Sequence, residues 1–238
     1  MTWIPALRRM AKNYDTRIVV CPVGHGYLYR DFATRIEEVR VVGKADRWLC
    51  NGKCPTMPKR FKKKYKGSTI VTPNEHLCMN AKRKYIRYGT GQYESLVLIH
   101  ARALTRYNST NRNWPKKKYA AMLKELGTPL AASIGTNAHH IKGTADLRNI
   151  EIEDLCNFMS SAKLVVGPSS GPMHLAALCG APAVVWTDDS WQKSINGTNK
   201  DMYKTKWNPF KTKVKVIEGK TWNAKTKDVV EAAKKVMR

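Results

Sequence analysis

The sequence predicts an α/β protein built on parallel β-sheets, in two domains of unequal size. Three observations carry that expectation. Short apolar runs recur along the chain and alternate with segments of helical spacing, the pattern of strands covered on both faces by helices. Glycine and proline punctuate most junctions between these segments. The composition also changes near residues 89–95, from a basic and irregular first part to an apolar and regular second part. Residues 1–92 are therefore read as a reduced N-terminal domain. Residues 93–238 have the length and rhythm of a Rossmann-like domain.

In the first part, "TRIVVCPVGHGY" predicts a buried strand over Ile18–Cys21 that runs into a glycine-bracketed loop. "LYRDFATRIEEV" suits a helix with Phe32, Ile36 and Val39 on one face, followed by a short strand over Val39–Val42. Residues 43–69 lack periodicity and read as a basic insertion. "STIVTP" predicts a further strand, and "NEHLCMNAKRKYIRYG" a helix with a basic face that stops at Gly89.

The second part is more regular. "SLVLIHARA" is a strand beginning near Leu96, and Pro115 opens the helix "KKKYAAMLKELG", which Gly127 ends. "PLAASIG" is a strand, "EIEDLCNFMSSA" a helix and "KLVVG" a strand. The helix "PMHLAALCG" and the strand "APAVVW" follow. A Trp-rich loop leads to the strand "VKVIEG" and the terminal helix "TKDVVEAAKKVM", which either stays with its own domain or crosses back to the N-terminal one.

Charge narrows the partners. Forty-three Lys and Arg residues stand against 18 Asp and Glu, a net charge of +25 that an anionic partner would relieve. The excess clusters in "KRFKKKYK" (Lys59, Arg60, Lys62, Lys63, Lys64, Lys66), in "KRKYIR" (Lys82, Arg83, Lys84, Arg87) and in Lys116–Lys118. No apolar run approaches the ~20 residues of a membrane span, and no signal-peptide pattern opens the chain, so a cytoplasmic protein is expected (the host cytoplasm, if viral). Cys50, Cys54, His76 and Cys78 have the ligand types of a tetrahedral zinc site. Three residues rather than two separate Cys50 from Cys54, and free thiols are the simpler reading.

Chemistry is expected where strands run into helices. In "LVVGPSSGPMHLAALCGAPAVVW" a buried strand enters a Gly/Ser/Pro loop and then a helix of small residues. Open backbone amides, the positive end of the helix and the hydroxyls of Ser169 and Ser170 make a phosphate site there, with His174 one turn on. A tight turn with a surface histidine is the alternative. The loop after "LVLIH" supplies Arg102, Arg106 and Arg112, which can neutralise a diphosphate. A P-loop is disfavoured, because no Gly-rich loop is followed by Lys-Ser or Lys-Thr.

These segments resemble the C-terminal half of a GT-B glycosyltransferase, most closely glycosyltransferase family 9, the heptosyltransferase-like enzymes. "SAKLVVGPSSGPMHLAALCGAPAVVW" is similar to that family's strand, Ser/Gly loop, His and Ala-rich helix. "IHARA…NRNWPKKKYAAML" resembles its preceding nucleotide-side block, and "WNPFKTKV" (Trp207–Val214) a tail of related proteins. The likeness covers about residues 95–215. It implies a GT-B fold and a nucleotide-diphosphate sugar as donor substrate, with no further cofactor and no metal. Ser169, Ser170, Gly171 and Pro172 would cradle the diphosphate beside His174, although the family often has Asp where this chain has Ser169. Arg102, Arg106 and Arg112 would meet its charge, and Gly135 and Thr136 would lie near the nucleoside. The family's base sits in the first N-terminal loop in a Gly-Asp setting. Here that loop offers His25 and then Asp31, unless His25 merely lines the cleft and Asp31 pairs with Arg30 or Arg35.

The acceptor is read from charge. Phe61, Tyr65, Tyr85 and Tyr88 lie among the lysine blocks, suited to phosphate contact with base stacking. That favours transfer onto a hydroxymethylated pyrimidine of bacteriophage DNA, which inside a duplex would have to be flipped out. A surface-glycan or lipopolysaccharide-core transferase is the alternative. A non-enzymatic nucleic-acid binder on a degenerate scaffold is the third reading.

Overall fold

The computed structural model describes residues 18–22, 33, 35–39, 94–103, 112–128, 130–188, 198–208, 210–219 and 221–237. The chain separates into two compact units, Trp3–Ala81 and Lys82–Arg238, with Met1–Thr2 grouped with the second.

In the first unit, strand β1 (Ile18–Pro22) pairs in parallel with β2 (Arg35–Val39), from Ile18 opposite Arg35 to Pro22 opposite Val39. This corrects the helix expected through Val39 over its last five residues, Arg35–Val39; of the strand expected over Val39–Val42, all but Val39 lies outside the described residues. Three apolar residues at helical spacing are a weak signal, and the β-branched Ile36 and Val39 suit an extended chain. Pairing along all five residues then decides the conformation. The expected strand "STIVTP" and helix "NEHLCMNAKRKYIRYG" lie outside the described residues.

The second unit is a six-stranded, wholly parallel sheet. Its elements, in chain order, are β3 (Val97–Ile99), α1 (Lys116–Leu126), β4 (Ala131–Ile134), β5 (Ala145–Leu147), α2 (Ile152–Ser161), β6 (Leu164–Pro168), α3 (Gly171–Cys179), β7 (Ala183–Trp186), α4 (Asn199–Met202), a π-turn (Tyr203–Trp207), β8 (Val214–Ile217) and α5 (Thr226–Met237). The spatial order is β5-β4-β3-β6-β7-β8. Counted from β3 this is 3-2-1-4-5-6, the doubly wound order, and the connections diverge between β3 and β6.

Local chemistry explains the elements. β3, β6 and β7 are buried at every position, as strands covered on both faces must be. Helix α1 follows Pro115 and ends at Gly127, whose φ of 61° is left-handed and costs glycine little. Glu153 and Asp154 lie in the first turn of α2, where carboxylates favour the helix dipole. Helix α5 buries Val229, Val230, Ala232, Ala233 and Val236 on one face, against α1 and strands β6 to β8 of the same unit. Trp114 stands edge-on to Tyr119 at 4.8 Å and lies 4.7 Å from Trp186. Each such pair contributes ~1 kcal/mol beyond its burial. The Trp114 indole N–H donates to the Ala224 carbonyl at 2.9 Å, tying the start of α1 to the entry of α5.

Sequence reading missed three elements. β5 is short and mostly exposed. Helix α4 is a single turn, closed by a reciprocal cap between Thr198 and Asp201. The π-turn continues it where only a loop was expected.

Candidate functional site

The sheet's connections part at the carboxyl ends of β3 and β6. His100 directly follows β3. Its amide donates to the Val166 carbonyl at 2.9 Å, and its own carbonyl accepts the Tyr119 hydroxyl at 3.3 Å. The imidazole Nδ1 lies 3.3 Å from the Ile134 carbonyl. Two glycines make room for it. A Cβ on Gly135 would lie 2.5 Å from Nδ1, and a Cβ on Gly167 would lie 3.0 Å from the His100 Cβ. Burial holds the His100 pKa down to about 4; the Ile134 hydrogen bond works against this and the Arg102 charge with it. The ring is neutral at pH 7.

Two of the three candidate arginines lie in the described residues. Arg102 is 8% exposed, and its guanidinium reaches the Asn113 side-chain oxygen at 3.5 Å. Arg112 is half-buried, with its guanidinium 4.4 Å above the Trp222 ring. Burial lowers both pKa values; Arg112 adds to the effect at Arg102, while Asp188 opposes it at Arg112. Both cations belong to the stretch of chain between β3 and α1, and the charge of Arg112 acts on Arg102. A diphosphate placed there would relieve that repulsion.

The loop between β6 and α3 is built differently from its sequence-based expectation. The Ser169 hydroxyl donates to the Asn199 side-chain oxygen at 3.1 Å, and the Ser170 hydroxyl to the Pro168 carbonyl at 2.8 Å. Neither hydroxyl proton points outward. The Ser169 amide is bound to the Trp186 carbonyl. The amides of Ser170 and Gly171 make no hydrogen bond among the described residues, and Pro172 has none to offer. Open backbone N–H groups at the start of α3 are what this loop presents. A Cβ on Gly171 would meet nothing within 4 Å.

His174 is enclosed by aromatic rings. It stacks on Trp207 at 4.6 Å and meets Tyr203 edge-on at 5.6 Å. Its Nε2 is sealed from solvent without a hydrogen-bond partner among the described residues, and burial lowers its pKa to about 4. The Tyr203 hydroxyl is likewise sealed and lies beside Ser169 without completing a hydrogen bond. Burial raises that phenol, with Ser169 acting in the opposite sense.

Gly135 thus lies at the end of β4 against His100, and Thr136 beside it is exposed. His25, Asp31, Arg106, the two lysine blocks and the set Cys50, Cys54, His76 and Cys78 lie outside the described residues. Cys156 and Cys179 are free and buried. Among the described residues no three His, Cys, Asp or Glu side chains gather as a metal site, and no helix is long and apolar enough to cross a membrane.

Sequence reasoning missed His100, Asn199, Tyr203 and Trp207. For His100 a signal existed, because a histidine closes an apolar strand while Gly135 directly follows β4 and Gly167 is the penultimate residue of β6. For the others there was none, since their partners are distant in the chain.

No family model matches the sequence, and neither does any curated protein. Among solved structures, E. coli ADP-heptose LPS heptosyltransferase II aligns with a TM-score of 0.58 at 12% identity, over 100% of this chain and 95% of that one. The E. coli heptosyltransferase WaaC with ADP aligns at 0.45, and a glycosyl transferase family 9 protein of Veillonella parvula at 0.44. Both are 14% identical, over 98% of this chain and 76% and 78% of theirs. At 12% identity the first alignment is a likeness of fold.

Proposed function

We propose that this protein is a GT-B glycosyltransferase, moving a sugar from a nucleotide-diphosphate donor to a hydroxyl of a phosphate-rich acceptor. One observation carries the reading. The open amides of Ser170 and Gly171 stand at the switch point of a doubly wound sheet, and the connection leaving the neighbouring strand β3 carries the cations Arg102 and Arg112. Such a site holds a diphosphate and stabilises it as it leaves, which is where charge builds up in glycosyl transfer. Backbone dipole and guanidinium charge fill the role that a metal ion plays elsewhere. Gly135 and Thr136 would border the nucleoside. His174 would support the loop from within, and Arg106 would join the other two arginines. The base that takes the acceptor proton would be His25 or Asp31, and the smaller N-terminal part would receive the acceptor.

The net charge of +25 favours an acceptor with many phosphates, and hydroxymethylated pyrimidine DNA of a bacteriophage meets that description. The lysine blocks at 59–66 and 82–87 would bind its backbone. A second acceptor reading is favoured by the fold likeness to an ADP-heptose LPS heptosyltransferase: the lysines would then meet the phosphates of a lipopolysaccharide core.

Thermal unfolding with ADP-, UDP- and GDP-sugars tests the donor reading. A sugar nucleotide at about 100 times its Kd should stabilise the fold by ~2.7 kcal/mol. Sugar appearing on hydroxymethylated DNA or on lipopolysaccharide core would then choose the acceptor. No response to any nucleotide sugar would leave a nucleic-acid binder on a transferase scaffold.

A further inference from the structure

We infer that the C-terminal unit carries a second anion-binding surface, a lysine-lined groove along edge strand β8 that grips the backbone of a nucleic-acid strand. This deepens the acceptor side of the proposed function and rests on it. The groove encloses about 430 Å³ and is lined by Lys200, Lys204, Lys211 and Lys215 together with Tyr203 and Asn208. Tyr203 is a shared wall, because its ring also meets His174 on the helix that carries the open amides. An anionic chain in the groove would therefore lie one side chain away from the donor loop.

The charge is only partly neutralised. Lys200 pairs with Glu218 at 2.8 Å, and Glu218 also accepts the Thr198 hydroxyl. Asp201 acts on Lys200 and Lys204, while its carboxylate is held by the Thr198 cap. Lys211 and Lys215 are exposed and have no acidic partner among the described residues. The turn that presents Lys211 is built for it. The Asn208 side chain clamps Thr212 from both sides, donating to its carbonyl at 2.7 Å and accepting its amide at 2.8 Å. Lys211 is held there at a φ of 54°, a left-handed conformation that lysine rarely adopts.

The layout suits a polymer better than a single phosphate. Lys211, Lys213 and Lys215 are all exposed: Lys211 stands on the left-handed turn, and Lys213 and Lys215 follow at alternate positions where the chain enters β8, ~7 Å apart. A row of ammonium point charges follows a repeating phosphodiester, whereas one phosphate group is better met by a converging fork or an amide nest. Lysines on an edge strand also deter pairing with other sheets. That role alone would leave nucleic-acid binding unchanged.

The test uses the full chain and a fluorescently labelled single-stranded oligonucleotide, with affinity read by anisotropy over a range of salt concentrations. Each phosphate contact on a single strand contributes ~0.7 to the slope of log K against log salt. Combining Lys204→Ala, Lys211→Gly and Lys215→Ala should lower that slope by about 2 and weaken binding, with the thermal midpoint kept. Lys211→Gly alone keeps the proposal testable if the triple variant does not fold: it relieves the left-handed strain and should still lower the slope by ~0.7. An unchanged slope in both variants overturns the proposal. So does a loss confined to phosphatidylglycerol vesicles, with the oligonucleotide bound as before. Stabilisation by nucleotide sugar is measured on the same variants. If it is missing even from the unaltered chain, the donor reading fails while the slope still decides the groove.

Discussion

The imidazole of His174 lies against the indole of Trp207, ring centroids 4.6 Å apart and planes 30° from parallel, with Tyr203 edge-on to both. The contact joins α3 to the π-turn, and it is what keeps that histidine out of water.

Trp207→Ala should therefore raise the His174 pKa from about 4 towards the ordinary ~6.5 of an exposed imidazole. NMR titration of the ring protons reads this directly. Trp207→Phe should hold the pKa low. Loss of the half-buried indole should also cost ~2 kcal/mol in urea unfolding. A titration still near 4 in the alanine variant would assign the shielding to Tyr203 instead.

Stability should fall in mild acid. The folded His100 has a pKa of about 4, whereas in the unfolded chain it is ~6.5. Above pH 6.5 the ring is neutral in both states and the group has no pH effect. As pH drops from 6.5 to 4, the unfolded chain takes up a proton that the folded protein refuses, so unfolding becomes easier. The full effect is ~3 kcal/mol, and His174 acts in the same direction. Urea midpoints between pH 7 and 4 should show the loss, and His100→Gln should remove part of the slope.

The glycines around His100 should not tolerate a methyl group. Gly135→Ala meets the imidazole at 2.5 Å and also forces alanine to a φ of 101°. It should destabilise the fold by ~3 kcal/mol and displace the ring. Gly167→Ala is crowded at 3.0 Å by the His100 Cβ and the Met173 sulfur, and should cost ~1–2 kcal/mol. Equal losses at the two positions would mean that backbone strain at Gly135 contributes nothing.

Gly171→Asp should separate folding from donor binding. The added side chain has open space and places a carboxylate at a helix N-terminus, which stabilises the fold by ~0.5 kcal/mol. The same charge faces the proposed diphosphate, so affinity for the nucleotide sugar should fall at least about tenfold, as it should in Arg112→Ala. Calorimetric titration against an unchanged or raised thermal midpoint checks both. Tight donor binding by Gly171→Asp would place the diphosphate elsewhere.

How much of this was legible beforehand differs between the two parts of the chain. "LVVGP", "AVVW" and the α5 pattern were readable because their apolar spacing is long, local and framed by glycine or proline. Arg35–Val39 was misread because three apolar residues fit either period, and only pairing with β1 resolves them. At the site, the strand-to-helix loop after β6 was legible from its Gly/Ser run. The direction of its hydroxyls was not, since the Ser169 partner, Asn199, is thirty residues away.

By itself, then, the sequence determined the alternation of strands and helices from Val97 onward, the excess of positive charge, and a loop rich in backbone donors ahead of α3. These follow from composition and periodicity, which act over a few residues. Only the tertiary structure decided the 3-2-1-4-5-6 strand order, the wedging of His100 between Gly135 and Gly167, and the enclosure of His174 by Tyr203 and Trp207. Each of these joins residues far apart in the chain. The packing of side chains from different elements sets them, and no local pattern records which partner will be met.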